Sequence, residues 1–214
     1  MSGVAEPAAR FRRTNDGTLI ELYSGALIQG SISISGTTTS YNAFTGSHYA
    51  NSPVDVEKGA ILKLTGENTF LNNNPESEII YGTDFSSEPN SSDILGAYLG
   101  KEDFNGDNSP SLVMAVGNGV MWVVDNGENL KIGDYLISSN VKGHAMRDNS
   151  EYEIANIIGR VAETVDWNTV TTVINGKKHK LIAVFFENFK LEHNENKIKN
   201  LEQRIESLEN IIKQ

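Results

Sequence analysis

Residues 170–186, VTTVINGKKHKLIAVFF, place the dipeptide Asn175–Gly176 between two runs rich in β-branched and aromatic residues. Asn-Gly accepts the positive φ angles of a tight turn, and between two such runs it is the strongest short-range signal for a β-hairpin. The same device recurs at Gly117–Gly119, inside SLVMAVGNGVMWVV, and at Asp125–Gly127, inside VVDNGENLKIGDYLISS. We therefore predict three hairpins in this half of the chain.

The remaining segments extend this pattern over residues 15–187. SISIS at 31–35 alternates apolar and polar residues, and Gly17, Gly25, Gly30 and Gly36 are expected to divide its surroundings into short strands. AILKL at 60–64 is a predicted strand. EIANIIGRVAETVDW at 153–167 fits either a strand or a helix, and the neighbouring hairpins favour the strand. The polar stretch 66–93 is predicted to form surface loops around one strand at 78–82. The fold class expected is mainly β, an antiparallel, hairpin-rich domain.

Composition and charge exclude several classes of function. The net charge of -10 and the absence of cysteine argue against a nucleic-acid surface, a thiolate zinc site and a cysteine nucleophile. No apolar run approaches the roughly 20 residues of a membrane span, and the first residues lack the apolar core of a signal peptide. We expect no nucleic-acid partner, no membrane insertion, no cofactor, and assembly in a cytoplasm.

The last 20 residues have a different periodicity. Apolar residues recur at alternating spacings of three and four, which predicts a parallel coiled-coil helix with Ile at a and Leu at d: Ile198, Leu201, Ile205, Leu208 and Ile212. Opposite charges occupy the g and following e positions, in the pairs Lys197 with Glu202 and Arg204 with Glu209. The alternative is a single amphipathic helix packed on its own domain. The seam predicts an oligomer without defining the number of chains.

Two polar stretches are candidates for chemistry. Ser47–His48 lies in a glycine-containing segment, but adjacent residues of a strand face opposite sides, which places His48 badly as a base for the Ser47 hydroxyl. Asp103, Asn105 and Asp107 alternate like the first ligands of a calcium loop; the glycine and glutamate positions of an EF-hand are not matched, so they are a weak metal candidate. No two histidines have the helical spacing of zinc ligands.

The order of these parts resembles the C-terminal ends of bacteriophage tail fibres, tail spikes and neck appendages. Residues 10–50, from RFRRTNDG through GSISISG to SHYA, are similar to the segment that leads into their intramolecular-chaperone domains. SHYAN, GAILKLTG and DILGAYLG follow in the order of the self-cleaving neck-appendage type. His48 stands where that type has an aspartate, and Asn51 where it has a glutamate. The resemblance therefore implies a cleavage junction whose two acidic positions are altered.

The resemblance also implies a setting and a set of partners. It predicts a virion structural protein of a tail fibre or appendage, assembled in the host cytoplasm, that forms a homotrimer rather than a dimer. Other tail or fibre proteins and a host cell-surface receptor are expected partners. Three regions are predicted: an N-terminal β stub at 1–46, a β chaperone-like or tip domain at 47–190, and a coiled-coil oligomerisation tail at 191–214. An autoproteolytic chaperone that cuts at Ser47–His48 is the alternative.

Overall fold

The computed structural model describes residues 11–24, 27–35, 38–42, 45–101 and 110–212. The chain divides into two units, Met1–Phe44 and Thr45–Gln214. The described part is mainly β, with one α-helix near the C-terminus. No described helix is long and apolar enough to span a membrane.

The smaller unit contains a three-stranded antiparallel sheet formed by β1 (Gly17–Ser24), β2 (Leu27–Ser35) and β3 (Thr38–Asn42). The alternating SISIS segment forms part of β2, as predicted. Gly30 does not end a strand as expected, because it pairs with Leu22 inside β2. The neighbouring pair joins Tyr23 to Ile28, so the register shifts by one residue at this point and a β-bulge forms in place of a strand end.

The larger unit consists of a mixed sheet in which two circuits of strand pairing share one long strand. Its eleven strands are β4 (Thr45–Asn51), β5 (Ile61–Leu64), β6 (Thr69–Phe70), β7 (Ile79–Phe85), β8 (Ile94–Lys101), β9 (Ser111–Val124), β10 (Tyr135–Ser138), β11 (Ala145–Arg147), β12 (Ile154–Val161), β13 (Val173–Ile174) and β14 (Lys177–Glu192). In the first ring, pairing runs from β14 through β12, β10, β11 and β9 back to β14; in the second ring, it runs from β9 through β4, β7, β5 and β8 back to β9. Closed pairing leaves few free strand edges.

Buried apolar side chains connect the two rings. The largest cluster includes Met114, Met121 and Val123 of β9 together with Ile61 from the second ring and Phe186 from the first. A smaller cluster belongs to each ring, one around Ile137, Ala155 and Ile157 and the other around Ala50, Leu62 and Val113. The long strand β9 therefore contributes to a core that both rings share.

Of the three predicted hairpins, the structure contains one. Asn175 and Gly176 have φ angles of 51° and 78° and join β13 to β14, which confirms that prediction. The prediction at Gly117–Gly119 is wrong, because β9 continues through these residues and exchanges its partner there, from β4 to β14. A Cβ on Gly119 would lie 2.5 Å from the Phe186 ring, so the glycine allows close packing and does not form a turn.

The third predicted hairpin is a turn without a hairpin. Gly127 has a φ of 112° and donates its N–H to Asp125 Oδ1 at 2.8 Å, so the chain does turn after β9. The strands on either side do not pair, since β11 lies between β9 and β10. Local turn chemistry specifies the reversal but not which strand becomes the neighbour.

One further expectation needs correction. Pairing is not antiparallel throughout, because β4 pairs with β7 and β9 pairs with β11 in parallel. The stretch 66–93 is largely loop, as predicted, and the strand expected at 78–82 is present as β7, which pairs with β4, β5 and the two-residue β6. The strand expected at 60–64 is confirmed as β5. Of the stretch 153–167, only Ile154–Val161 is a strand, β12, and a short 3-10 helix begins at Trp167.

Candidate functional site

The C-terminal helix α1 (Asn194–Ile212) directly follows the longest strand of the larger unit. β14 ends beside the start of β12, where Glu192 pairs with Ile154. His193 then donates its backbone N–H to the Glu153 carbonyl at 2.9 Å. Its ring Nε2 lies 2.7 Å from Asp148 Oδ2, in a pair whose carboxylate side chain is 3% exposed. The residue before the helix is thus attached to the β domain by two contacts.

Beyond His193 the helix does not bury its apolar face. Every described side chain of α1 is exposed. The predicted seam is no exception, with Ile198, Leu201, Ile205 and Leu208 exposed at 54%, 49%, 56% and 59%. This contradicts the alternative of an amphipathic helix packed on its own domain. In proteins, most of the stability of a helix comes from the packing of its apolar face, and α1 does not obtain this stabilisation from its own chain.

The charged positions of the predicted seam are described only in part. Glu202 and Arg204 lie on the helix with exposed side chains. The side chains of Lys197, Glu209 and Ile212 lie outside the described residues. Within one chain, the structure therefore establishes a solvent-exposed helix, and the coiled coil itself belongs to the proposal below.

Ser47 and His48 lie in the middle of β4, where they pair with Met114 and Val113 of β9. Both side chains are exposed in an open groove that Glu78 and Tyr81 also line. The His48 ring contacts the Tyr81 ring edge-on, with 5.5 Å between the centroids. The described hydrogen bonds place no base on Ser47 Oγ, so the two residues do not form a nucleophile–base pair of the kind that hydrolysis needs.

Asn51 ends the same strand and has a structural environment. Its side-chain Nδ2 donates to Thr69 Oγ1 at 3.2 Å, and its carbonyl accepts from Thr83 Oγ1 at 2.7 Å. These contacts attach the end of β4 to β6 and β7. An amide suits this position because it can donate, which a carboxylate cannot.

The structure also brings together two histidines that the sequence separates. His144, in the turn between β10 and β11, lies beside His179 at the start of β14, with 3.0 Å between His144 Nε2 and His179 Nδ1. Trp122 of β9 stacks on the His179 ring at 4.9 Å between centroids. Sequence reasoning missed this cluster, and no local signal could have found it, because strand pairing alone brings the residues together.

Burial lowers the pKa of both imidazoles in this cluster. For His144, desolvation dominates, the hydrogen bond to the Lys142 carbonyl opposes it, and the charge of His179 lowers the pKa further. For His179, desolvation lowers the pKa, and the Glu57 carboxylate acts in the opposite direction. Both rings are therefore held in the neutral form at pH values where a free imidazole begins to protonate.

The candidate metal ligands Asp103, Asn105 and Asp107 lie outside the described residues. In the described part of the chain, no three histidine or acidic side chains converge in a way that could hold a metal ion.

Comparisons with known proteins leave the chain without an assigned family. No family model matches it, and no curated protein matches it significantly. The resemblance to phage fibre and appendage domains therefore rests on the order of the segments, on the motifs around residues 10–51, 59–66 and 93–100, and on the heptad pattern of the C-terminal residues.

Proposed function

We propose that this chain is the C-terminal domain of a phage tail fibre or appendage, and that α1 joins it to identical chains in a parallel homotrimer. The observation that carries the proposal is the row of exposed apolar side chains at Ile198, Leu201, Ile205 and Leu208. An a/d row that the chain itself leaves uncovered is typical of a helix that packs against copies of itself.

The charge pattern favours chains of the same polarity. Lys197 and Glu202 of neighbouring chains, and likewise Arg204 and Glu209, would meet with opposite charge when the helices run parallel and in register. Alignment of the helices raises the effective concentration of the attached β domains for one another. The seam has only about two and a half heptads, so association also needs contacts between the β domains.

The number of chains comes from a different source. Ile at a with Leu at d favours two strands in isolated peptides, whereas the resemblance to phage fibre ends implies three. We expect contacts between the β domains to decide between two and three chains.

Self-cleavage at Ser47–His48 has less support. The bond lies within a strand that pairs with β9 at both residues, and His48 contacts Tyr81 instead of Ser47. A β-bulge at Gly46–Ser47 distorts the strand locally, which is the feature that favours a junction here. We expect this junction to remain uncut.

Host attachment is the second part of the proposal. Within the polar stretch 66–93, the loop at 71–78 is largely exposed and is bounded by β6 and β7. Polar loops on a β scaffold are where recognition is usually found. Purified protein that blocks phage adsorption, with a loss of blocking when 72–77 is replaced by a Gly/Ser linker, would support this role.

The experiment for assembly is the solution mass, measured by light scattering on the full 23.4-kDa chain and on a chain that lacks residues 195–214. We expect a trimer for the full chain and a smaller species for the truncated one. If the truncated chain forms an oligomer with the same number of chains, the helix has no role in assembly. A monomeric full chain would refute the proposal itself.

A further inference from the structure

The turn that carries His144 connects the two rings of the β domain. It joins β10 to β11 in the first ring, and its internal hydrogen bonds include His144 N–H to the Val141 carbonyl at 3.0 Å. Its Gly143 N–H donates to the Ser86 carbonyl at 2.7 Å, and the Gly143 carbonyl accepts from Ile61 N–H at 2.8 Å. Ser86 and Ile61 lie at β7 and β5 in the second ring. The 139–144 turn is therefore a point of attachment between the rings.

The hydrogen bonds of His144 define where its proton is. Nδ1 lies 2.7 Å from the Lys142 carbonyl, which can only accept, so Nδ1 carries the proton. Nε2 of the neutral ring is then an acceptor, and His179 Nδ1–H donates to it across 3.0 Å. The arrangement is a directed chain from His179 through His144 to the backbone, with one open position for a further proton, at His179 Nε2.

These two hydrogen bonds can persist after one added proton but not after a second one. A proton at His179 Nε2 leaves both hydrogen bonds intact, and the stacked Trp122 face can stabilise the resulting cation. Once His179 carries a proton on both nitrogens, a second added proton at His144 Nε2 would set two N–H groups against each other at 3.0 Å. It would also charge a ring that is only 7% exposed, at the cost of its desolvation.

The charged groups around the pair offset that cost only in part. The segment before β5 contributes the Glu57 carboxylate, with Lys58 next in sequence. In the turn itself, the Lys142 ammonium lies over the Phe85 ring, 4.2 Å from its centroid. β9 presents the uncharged Trp122.

On β14, the two lysines beside His179 point to other partners. Lys178 Nζ donates to the Trp167 carbonyl, and Lys180 pairs with Glu163 at 3.0 Å. Alternate residues of a strand face opposite sides, so these cations lie on the face away from the imidazole pair. Among the described residues, Glu57 is thus the single carboxylate that raises the pKa of both imidazoles.

We propose that His144, His179 and Trp122 form a pH-dependent latch between the two rings, closed while His144 is neutral and opened when His144 takes up a proton. The latch goes beyond the proposed assembly function and does not depend on it. Its ligand is the proton, and its effect is release of the 139–144 turn from Ser86 and Ile61.

The sign follows from the lowered pKa values. In the closed state, both imidazoles stay neutral below the ordinary imidazole pKa of about 6.5. When the turn is open, they protonate at that ordinary value. Stability of the closed state is therefore fully present above pH about 6.5 and is lost as the pH falls from there towards the closed-state pKa values. Over that window the open population is expected to rise by at most about tenfold per pH unit for each proton taken up.

Amide hydrogen exchange measured by NMR between pH 8 and 5.5 tests the latch on the full chain. After correction for the intrinsic rate, the amides of Gly143 and Ile61 should open more often as the pH falls in the wild type. In His144→Gln, where only His179 can still take up a proton, the rise should be clearly smaller than in the wild type. In His48→Gln, which changes an exposed histidine outside the cluster, it should follow the wild type. Equal profiles in the wild type and His144→Gln would overturn the proposal.

A second measurement needs no variant. Imidazole 15N shifts of the wild type at pH 8 should show the proton on Nδ1 in both His144 and His179. A proton on His144 Nε2 would refute the directed chain, as would titration of His144 at the value of a free imidazole. This readout decides the matter even if His144→Gln does not fold.

Discussion

Replacement of both seam leucines by aspartate, Leu201→Asp with Leu208→Asp, should dissociate the proposed oligomer. The two side chains are 49% and 59% exposed in the single chain, so an oligomer can still bury about half of each. That burial stabilises by roughly 1 kcal/mol per leucine, or about 6 kcal/mol for a trimer. This corresponds to about four powers of ten in the association constant. The charge placed in an apolar seam weakens association further.

Sedimentation velocity over a dilution series measures the effect. Because a trimer forms from three chains at once, a change of that size shifts the concentration of half-dissociation by about a hundredfold. The matched control is Gln203→Asp with Asn210→Asp, which adds the same charge to the same helix at positions away from the seam. We expect the control to remain associated. Equal dissociation of the two variants would refute the reasoning, because the seam would then have no special role.

Three further outcomes are expected. His193→Ala should lower the free energy of unfolding in urea by about 1–3 kcal/mol, because it leaves the buried Asp148 carboxylate without its partner. Gly119→Ala should destabilise by about 1–3 kcal/mol in the same assay, because its Cβ would overlap the Phe186 ring. Intact mass spectrometry of freshly purified protein should show the full-length chain, since the Ser47–His48 bond lacks a nucleophile–base pair.

Each of these predictions has a result that would contradict it. His48→Ala, at an exposed histidine, is the control for His193→Ala, and an equal loss of stability in both would remove the special role of the Asp148 contact. Wild-type stability of Gly119→Ala would mean that close packing does not require the glycine. A fragment that begins at His48 would restore the autoproteolytic alternative.

The contact between His193 and Asp148 has a consequence for assembly. The orientation of the helix relative to the β domain depends on the residues that join them. At this joint, His193 contacts the buried Asp148 carboxylate and the Glu153 carbonyl. In an oligomer, a fixed joint would orient the β domains relative to the helical seam. A loosened joint would leave the helices paired and the β domains less ordered.

The fold was predictable where the signal is local. The dipeptide Asn175–Gly176 specifies its turn because both residues tolerate positive φ, and the strands around it follow from their β-branched residues. The same reasoning failed at Gly117–Gly119, where Gly119 allows close packing inside a continuous strand. Nothing local distinguishes a glycine needed for a turn from one needed beside Phe186, a residue that lies far along the chain.

The sequence by itself determined the strand content, the turn at Asn175–Gly176 and the apolar periodicity of the C-terminal helix, because each depends on residues within a few positions of one another. Only the tertiary structure decided that β9 serves two rings, that pairing is partly parallel, and that His144 lies against His179. These features depend on which distant strands become neighbours. That choice is made by burial of the shared core, and no short stretch of sequence encodes it.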